Sequence, residues 1–171
     1  MRHYLLFFLV LLLITAAAAF IFRQRQNLRP PQADKILVEK GARRLTLLSR
    51  GRKLKEYHIT LGFSPIGPKE REGDGRTPEG IYTIDFHKPD SAFHRALHVS
   101  YPSTQDSARA VEAGVSPGGD IMIHGLPNGF GAFGATYRLR DWTAGCIAVT
   151  DPEIDEIYTS VTDGTSIEIL P

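Results

Sequence analysis

Residues 121–149 read IMIHGLPNGFGAFGATYRLRDWTAGCIAV, and the two ends of this stretch set both the architecture and the chemistry of the chain. Ile121-Met122-Ile123-His124-Gly125 is a short apolar run that ends on a histidine and a glycine, the pattern of a buried strand carrying one polar side chain at its tip. Trp142-Thr143-Ala144-Gly145-Cys146-Ile147-Ala148-Val149 places the only cysteine in a Gly-containing turn ahead of a second aliphatic run. The thiolate is the reactive form of cysteine, and an ordinary thiol with a pKa of about 8.5 is mostly protonated at neutral pH. A neighbouring imidazole lowers that pKa or removes the proton. Gly145 lets the backbone approach closely, so amide N–H groups around Cys146 can hold an oxyanion. The competing reading of these residues is a core cysteine in a turn, with a strand-end histidine bonded to backbone. A single cysteine excludes an internal disulfide, and CxxC spacing for zinc is absent.

Working outward, Arg23 to Asp34, with Pro30 and Pro31, reads as a linker. Lys35–Lys40 is strand-like and is followed by Gly41. Arg44–Ser49 and Leu54–Leu61 flank Arg50-Gly51-Arg52 as the arms of a hairpin, with Leu45 and Leu47 on one face of the first arm and Tyr57 and Ile59 on one face of the second. Gly62 to Gly80 is rich in Gly, Pro and charge and reads as too polar for core. Ile81–Phe86 and Ala96–Tyr101 follow as strands, then a helix from Ser103 to Ala113 capped by Ser103 and stopped by Gly114. After the glycine-rich loop Leu126 to Ala135, Asp151-Pro152 reads as a helix start. Ile154, Ile157, Tyr158 and Val161 share a face of that helix, and Thr165–Leu170 is a closing strand. Many short strands with one or two short helices predict a mainly β fold of the α+β class, a mixed sandwich or barrel-like sheet.

Hydrophobic content of 42% and charged content of 23% lie in the globular range and exclude disorder throughout. Residues 1–60 carry twelve Lys and Arg against three Asp and Glu, whereas residues 61–171 carry eight against sixteen. The basic third suits either an anionic lipid or polymer surface or a set of solvated strand faces. With an acidic remainder, nucleic acid is a poor partner. His94 and His98 are four apart, but Val99 and Tyr101 favour a strand over a metal-binding helix, so no metal is expected.

Leu5 to Phe22 is apolar except for Thr15, and eighteen helical residues extend about 27 Å, near the thickness of a hydrocarbon core. Residues 1–22 are therefore expected to form a transmembrane anchor, with membrane contact through residues 5–22; a cleaved leader ending near Ala16 to Ala19 is the alternative. Arg23, Arg25 and Arg29 would by themselves favour the cytoplasmic side, although large domains translocate despite such charges.

The His124-Gly125 strand end and the Thr143-Ala144-Gly145-Cys146 turn with its aliphatic successor resemble the signature of the YkuD-type L,D-transpeptidases. Arg76-Thr77-Pro78-Glu79-Gly80-Ile81-Tyr82 resembles the strand entry common in these domains, and Trp142 with the turn looks like the YafK-like branch. The resemblance spans about residues 35 to 170, so the expected organisation is anchor 1–22, linker 23–34 and catalytic domain 35–171. Ala144 stands where many members have His, Ala148 where many have Arg, and Asp151 where Asn is usual, which bears on the acceptor substrate. The resemblance implies that Cys146 is acylated with His124 as base, with Gly145, Gly125 and Thr143 orienting them or serving the oxyanion. Tyr137, Arg138, Arg140 and Asp141 lie just before the cysteine turn and are candidates for binding stem-peptide carboxylates, with solvated loop charge as the alternative, and Trp142 is a candidate for substrate contact. It further implies peptidoglycan stem peptides as partner, no cofactor, and a role in cell-wall biogenesis and cell shape. The domain is expected in the periplasm, held at the inner membrane or secreted after leader cleavage. Hydrolysis of the same acyl-enzyme, as a carboxypeptidase or amidase, and a non-catalytic wall-binding module are the alternatives.

Overall fold

The computed structural model describes residues 11–12, 14–18 and 31–171, and the chain divides into two units, residues 1–31 and 32–171. In the first unit the described residues are helical, with the Thr15 hydroxyl donating to the Leu12 carbonyl at 2.9 Å. Among the described residues no helix is long and apolar enough to cross a membrane, and most of the expected 5–22 span lies outside them, as does most of the 23–34 linker.

In the second unit, β1 (Lys35–Glu39) alternates, with Ile36 and Val38 buried and Lys35, Leu37 and Glu39 half-buried. It pairs antiparallel with β2 (Arg44–Ser49) and parallel with β8 (Ser166–Leu170). β2 turns into β3 (Arg52–His58) through Arg50 and Gly51, whose φ values of 52° and 74° are the paired positive angles a two-residue hairpin needs. β4 (Gly80–Ser91) is twice as long as the expected Ile81–Phe86. Its first four residues pair with β8, and the rest pair with β5 (His94–Val99) through two register shifts. Such shifts bend a strand, so β4 serves two differently directed halves of one sheet. β6 (Met122–His124) and β7 (Ile147–Ala148) complete the order β3-β2-β1-β8-β4-β5-β6-β7.

The two ends of that order meet. Thr60, just past β3, donates to the Ala148 carbonyl at 2.9 Å and accepts from the Ala148 N–H at 2.8 Å, and Gly62 bridges Thr143. The barrel-like reading is thereby realised as a curled mixed sheet whose outermost strands are stitched by backbone hydrogen bonds. Inside it lie Ile36, Leu45, Leu61, Ile84, Leu97, Ile123 and Ile147, all fully buried. Each such side chain contributes roughly 1.5–3 kcal/mol by leaving water.

α1 (Thr104–Glu112) starts as expected at Ser103, whose hydroxyl accepts the Asp106 N–H at 3.2 Å while the Asp106 carboxylate accepts the Ser103 N–H at 2.9 Å. α2 (Gly134–Tyr137) is a single turn in the glycine-rich loop, after the 3-10 turn Gly131–Phe133. α3 (Asp151–Ser160) buries Ile154 and Ile157 as its periodicity predicts. Its cap differs. Asp151 is already helical, and Thr150 is the N-cap, its N–H and hydroxyl both donating to Glu153 at 2.9 and 2.6 Å. Asp151 is thereby free to accept the Leu126 N–H at 2.8 Å.

The polar stretch 62–80 also departs from expectation, because it is tied down by buried lysines. Lys40 donates to the carbonyls of Gly67 (2.6 Å) and Thr77 (2.9 Å) and to Glu79 (2.8 Å), and Lys69 pairs with Asp74 at 2.9 Å. The basic early strands find acidic partners from the rest of the chain, with Lys35 on Glu168, Arg43 on Asp141 and Lys55 on Glu156. This pairing accounts for much of the charge asymmetry within the fold itself.

Candidate active site

β6 and β7 run parallel, with Ile123 opposite Ile147 and His124 opposite Ala148. Carried back one residue, that register sets Cys146 beside Met122. Side chains alternate faces along a strand and directly paired residues share one, so Ile123 and Ile147 point into the core. Cys146, Met122 and His124 therefore lie together on the other face. With strands about 4.8 Å apart and a rise of about 3.3 Å per residue, the Cα atoms of Cys146 and His124 stand about 8 Å apart. Ala96 and Ala148, the small residues paired on either side of His124, leave room for its ring.

His124 is buried, and its Nδ1 lies 2.7 Å from the Gly125 carbonyl. A carbonyl only accepts, so Nδ1 carries the proton and Nε2 keeps its lone pair. Burial pulls the imidazole pKa down to about 4 against the opposing pull of the Gly125 carbonyl, and the ring is neutral at pH 7. Phe93 packs against it at 4.6 Å between ring centres, and Trp142 meets it edge-on at 5.8 Å. Gly125 is required by space, since a Cβ there would sit 2.7 Å from Asp151 Oδ1 and 3.1 Å from His94 Cβ.

The Cys146 thiol donates to the Asp120 carbonyl at 3.5 Å. Burial raises its pKa and the Asp120 charge adds to this, while the Met122 backbone and Lys69 oppose. The resting pair is thus a neutral thiol and a neutral imidazole, not an ion pair. Thr143 staples the turn: its hydroxyl donates to the Cys146 carbonyl at 2.7 Å and accepts the Gly145 N–H at 3.2 Å. The Gly145 N–H, a candidate oxyanion donor from sequence, is thereby already engaged. At φ 139°, Gly145 brings its backbone so near the strand entry that a Cβ would lie 2.7 Å from the Arg76 carbonyl. Gly62 is as tightly held, and its N–H donates to the Thr77 hydroxyl at 3.1 Å. The Thr77-Pro78 motif therefore buttresses the cysteine turn from behind.

Tyr137, Arg140 and Trp142 line a cavity of about 350 Å³ together with Phe130, Phe133 and Thr136. Its aromatic wall continues from Tyr137 to Trp142 and on to His124, with ring centres 5.2 and 5.8 Å apart. Arg138 does not line it and pairs instead with Glu153 at the start of α3. Asp141 is also structural, binding Arg43 at 2.6 Å and accepting the Leu61 N–H at 2.9 Å. Phe93 and Asp120 carried no signal in the sequence, because their proximity to the site depends on strand register. Among the described residues no group of three His, Cys, Asp or Glu side chains is placed to hold a metal. His98 lies on β5 as expected, His94 opens that strand two residues ahead of its expected start, and they bind separate carboxylates, Asp85 at 2.6 Å and Asp155 at 3.0 Å.

Residues 33–169 match the family described as L,D-transpeptidase catalytic domain (YkuD), and the chain belongs to that family. Over 111 residues it is 34% identical to YafK of Escherichia coli, a protein named as a candidate L,D-transpeptidase. That match covers 64% of this chain and 37% of YafK, so the chain spans little more than a third of the relative's length. Among solved structures, the helical cell shape determining protein Pgp2 of Campylobacter jejuni superposes with a TM-score of 0.62 at 27% identity, covering 79% of this chain and 46% of Pgp2. An L,D-transpeptidase from Mycobacterium smegmatis shares the fold, with a TM-score of 0.54 at 15% identity over 80% of this chain and 58% of that one.

Proposed function

We propose that this chain transfers acyl groups between peptidoglycan stem peptides through a thioester on Cys146. The observation that carries the proposal is the placement of Cys146 and His124 on one face of adjacent parallel strands, with His124 Nε2 left as a free base. Cys146 Sγ attacks the carbonyl of the third stem residue as its proton passes to His124 Nε2. The C–N bond to the terminal D-Ala then breaks, and the imidazolium returns that proton to the leaving amine. An amine from a second stem displaces the thiol and forms the cross-link. The aromatic cavity beside Trp142 suits the aliphatic stem, with Arg140 for a carboxylate.

Intact mass after incubation with a stem tetrapeptide tests this reading. A tripeptide adduct on the unaltered protein, absent from Cys146→Ala, is expected; no adduct, or one that survives Cys146→Ala, sinks it. Product analysis then separates cross-linking from carboxypeptidase trimming, since both pass through the same acyl-enzyme. We further place the domain in the periplasm, held by the apolar residues 5–22, because the stem peptides reside there; fractionation of cells with and without residues 1–22 tests that placement.

A further inference from the structure

Asp120 and His124 lie two residues before and two residues after Met122, so they flank the thiol beside it from opposite directions along the strand. Cys146 donates to the Asp120 carbonyl, and the Asp120 carboxylate, 92% exposed, stands 3.9 Å from His98 Nε2. Asp120 has φ 52°, the left-handed conformation that turns its side chain outward while its carbonyl meets the thiol. His98 pairs with Met122 across β5 and β6, which puts it on the same sheet face as Met122 and Cys146. Its ring is fixed by Asp85 on Nδ1 at 2.6 Å and by Phe86 stacked at 4.5 Å, leaving Nε2 toward Asp120. The 3.9 Å separation is too long for a hydrogen bond, so both groups remain able to bond one third polar atom set beside them.

An amine arrives at neutral pH as an ammonium, so it needs a carboxylate to bind and a base to free its lone pair. His124, on the other side, is needed for the thiol. We propose that Asp120, backed by His98, docks the ammonium group of the acceptor that discharges the Cys146 thioester; this rests on the acyl-transfer reading above. One ammonium proton passes to His98 Nε2 and on to solvent, and the freed lone pair forms the C–N bond as the C–S bond breaks. A second proton goes to the departing thiolate by way of His124, and the third remains as the amide N–H. Water, which carries no charge, gains nothing from this site, so Asp120 and His98 bias the acyl-enzyme toward transfer over hydrolysis.

The test is the ratio of amide to acid product per acyl-enzyme formed, which cancels any effect on acylation. With Nα-acetyl-lysine amide as the charged amine, Asp120→Asn and His98→Gln should each lower that ratio about tenfold. With hydroxylamine, uncharged at pH 7, the ratio should change by less than about twofold. An unchanged ratio for the charged amine in Asp120→Asn, or an equal fall for both nucleophiles, overturns the inference. So does an unaltered protein whose acyl-enzyme yields only acid, a result that leaves the thioester chemistry standing. If the unaltered protein forms no acyl-enzyme, the acyl-transfer reading itself fails, which is visible before any variant is made.

Discussion

Thr143 donates its hydroxyl proton to the Cys146 carbonyl at 2.7 Å and accepts the Gly145 N–H on the same oxygen. One side chain thus closes the turn that presents Cys146, and the turn's own amides do not have to satisfy each other. Thr143→Val keeps the shape but leaves a buried N–H and a carbonyl unpaired, which costs about 1–3 kcal/mol. Thr143→Ser keeps both bonds. Urea unfolding should place the serine variant near the unaltered protein and the valine variant below both, and acyl-enzyme formation should fall at least about tenfold only in the valine variant.

Gly145→Ala is expected to be more severe. The added Cβ would meet the Arg76 carbonyl at 2.7 Å in a backbone conformation that L side chains rarely adopt. Neither backbone can yield without moving the Thr77 buttress, so a loss of more than about 2 kcal/mol and of measurable acylation should follow. A variant with unaltered melting temperature and adduct formation would contradict the close packing.

The pH dependence of stability has a definite sign. His124 binds its proton near pH 4 when folded and near 6.5 when unfolded, so between these values the unfolded chain holds more protons. Stability is then fully present above about pH 6.5 and declines as pH falls toward 4, by a total on the order of 3 kcal/mol from this group. His124→Gln should flatten the curve of unfolding free energy across that window. Acylation should fall on the acid side with the same low pKa, since only the neutral ring accepts the thiol proton.

Lys40 is a buried cation with one carboxylate and two carbonyls around it. Burial lowers its pKa, with Glu79 opposing, so the charge is held against a desolvation penalty by these acceptors. Lys40→Met strands Glu79 and should cost about 3–5 kcal/mol, whereas Lys40→Met with Glu79→Gln should recover part of the loss. A double-mutant cycle by chemical denaturation measures the coupling.

The two arginines before the cysteine turn should behave differently. Arg140→Ala removes a cation from the aromatic cavity and should raise KM for the stem peptide about tenfold. Arg138→Ala breaks a partly exposed pair with Glu153 and should cost about 1 kcal/mol or less, without a KM effect. Steady-state kinetics beside thermal melts of both variants check the division.

The strands, the hairpin at Arg50-Gly51, the Ser103 cap and the inward face of α3 were legible in the amino-acid order because each rests on residues within a few positions of one another. The candidate thiol and imidazole were legible as residue types in their local patterns. Tertiary structure alone decided that β4 serves both halves of the sheet, that β6 and β7 are neighbours, and that Asp120 and Phe93 come to the site. It also decided that Lys69 is buried within the stretch that reads as polar loop and that Lys40, at the end of β1, is buried against that stretch, and that Arg138 serves α3 while Arg140 lines the cavity. The physical reason is range. Turns and caps are set by bonds between near neighbours, whereas strand register and the burial of a charge depend on partners such as Glu79 for Lys40 or Asp141 for Arg43, which only the closed sheet brings within reach.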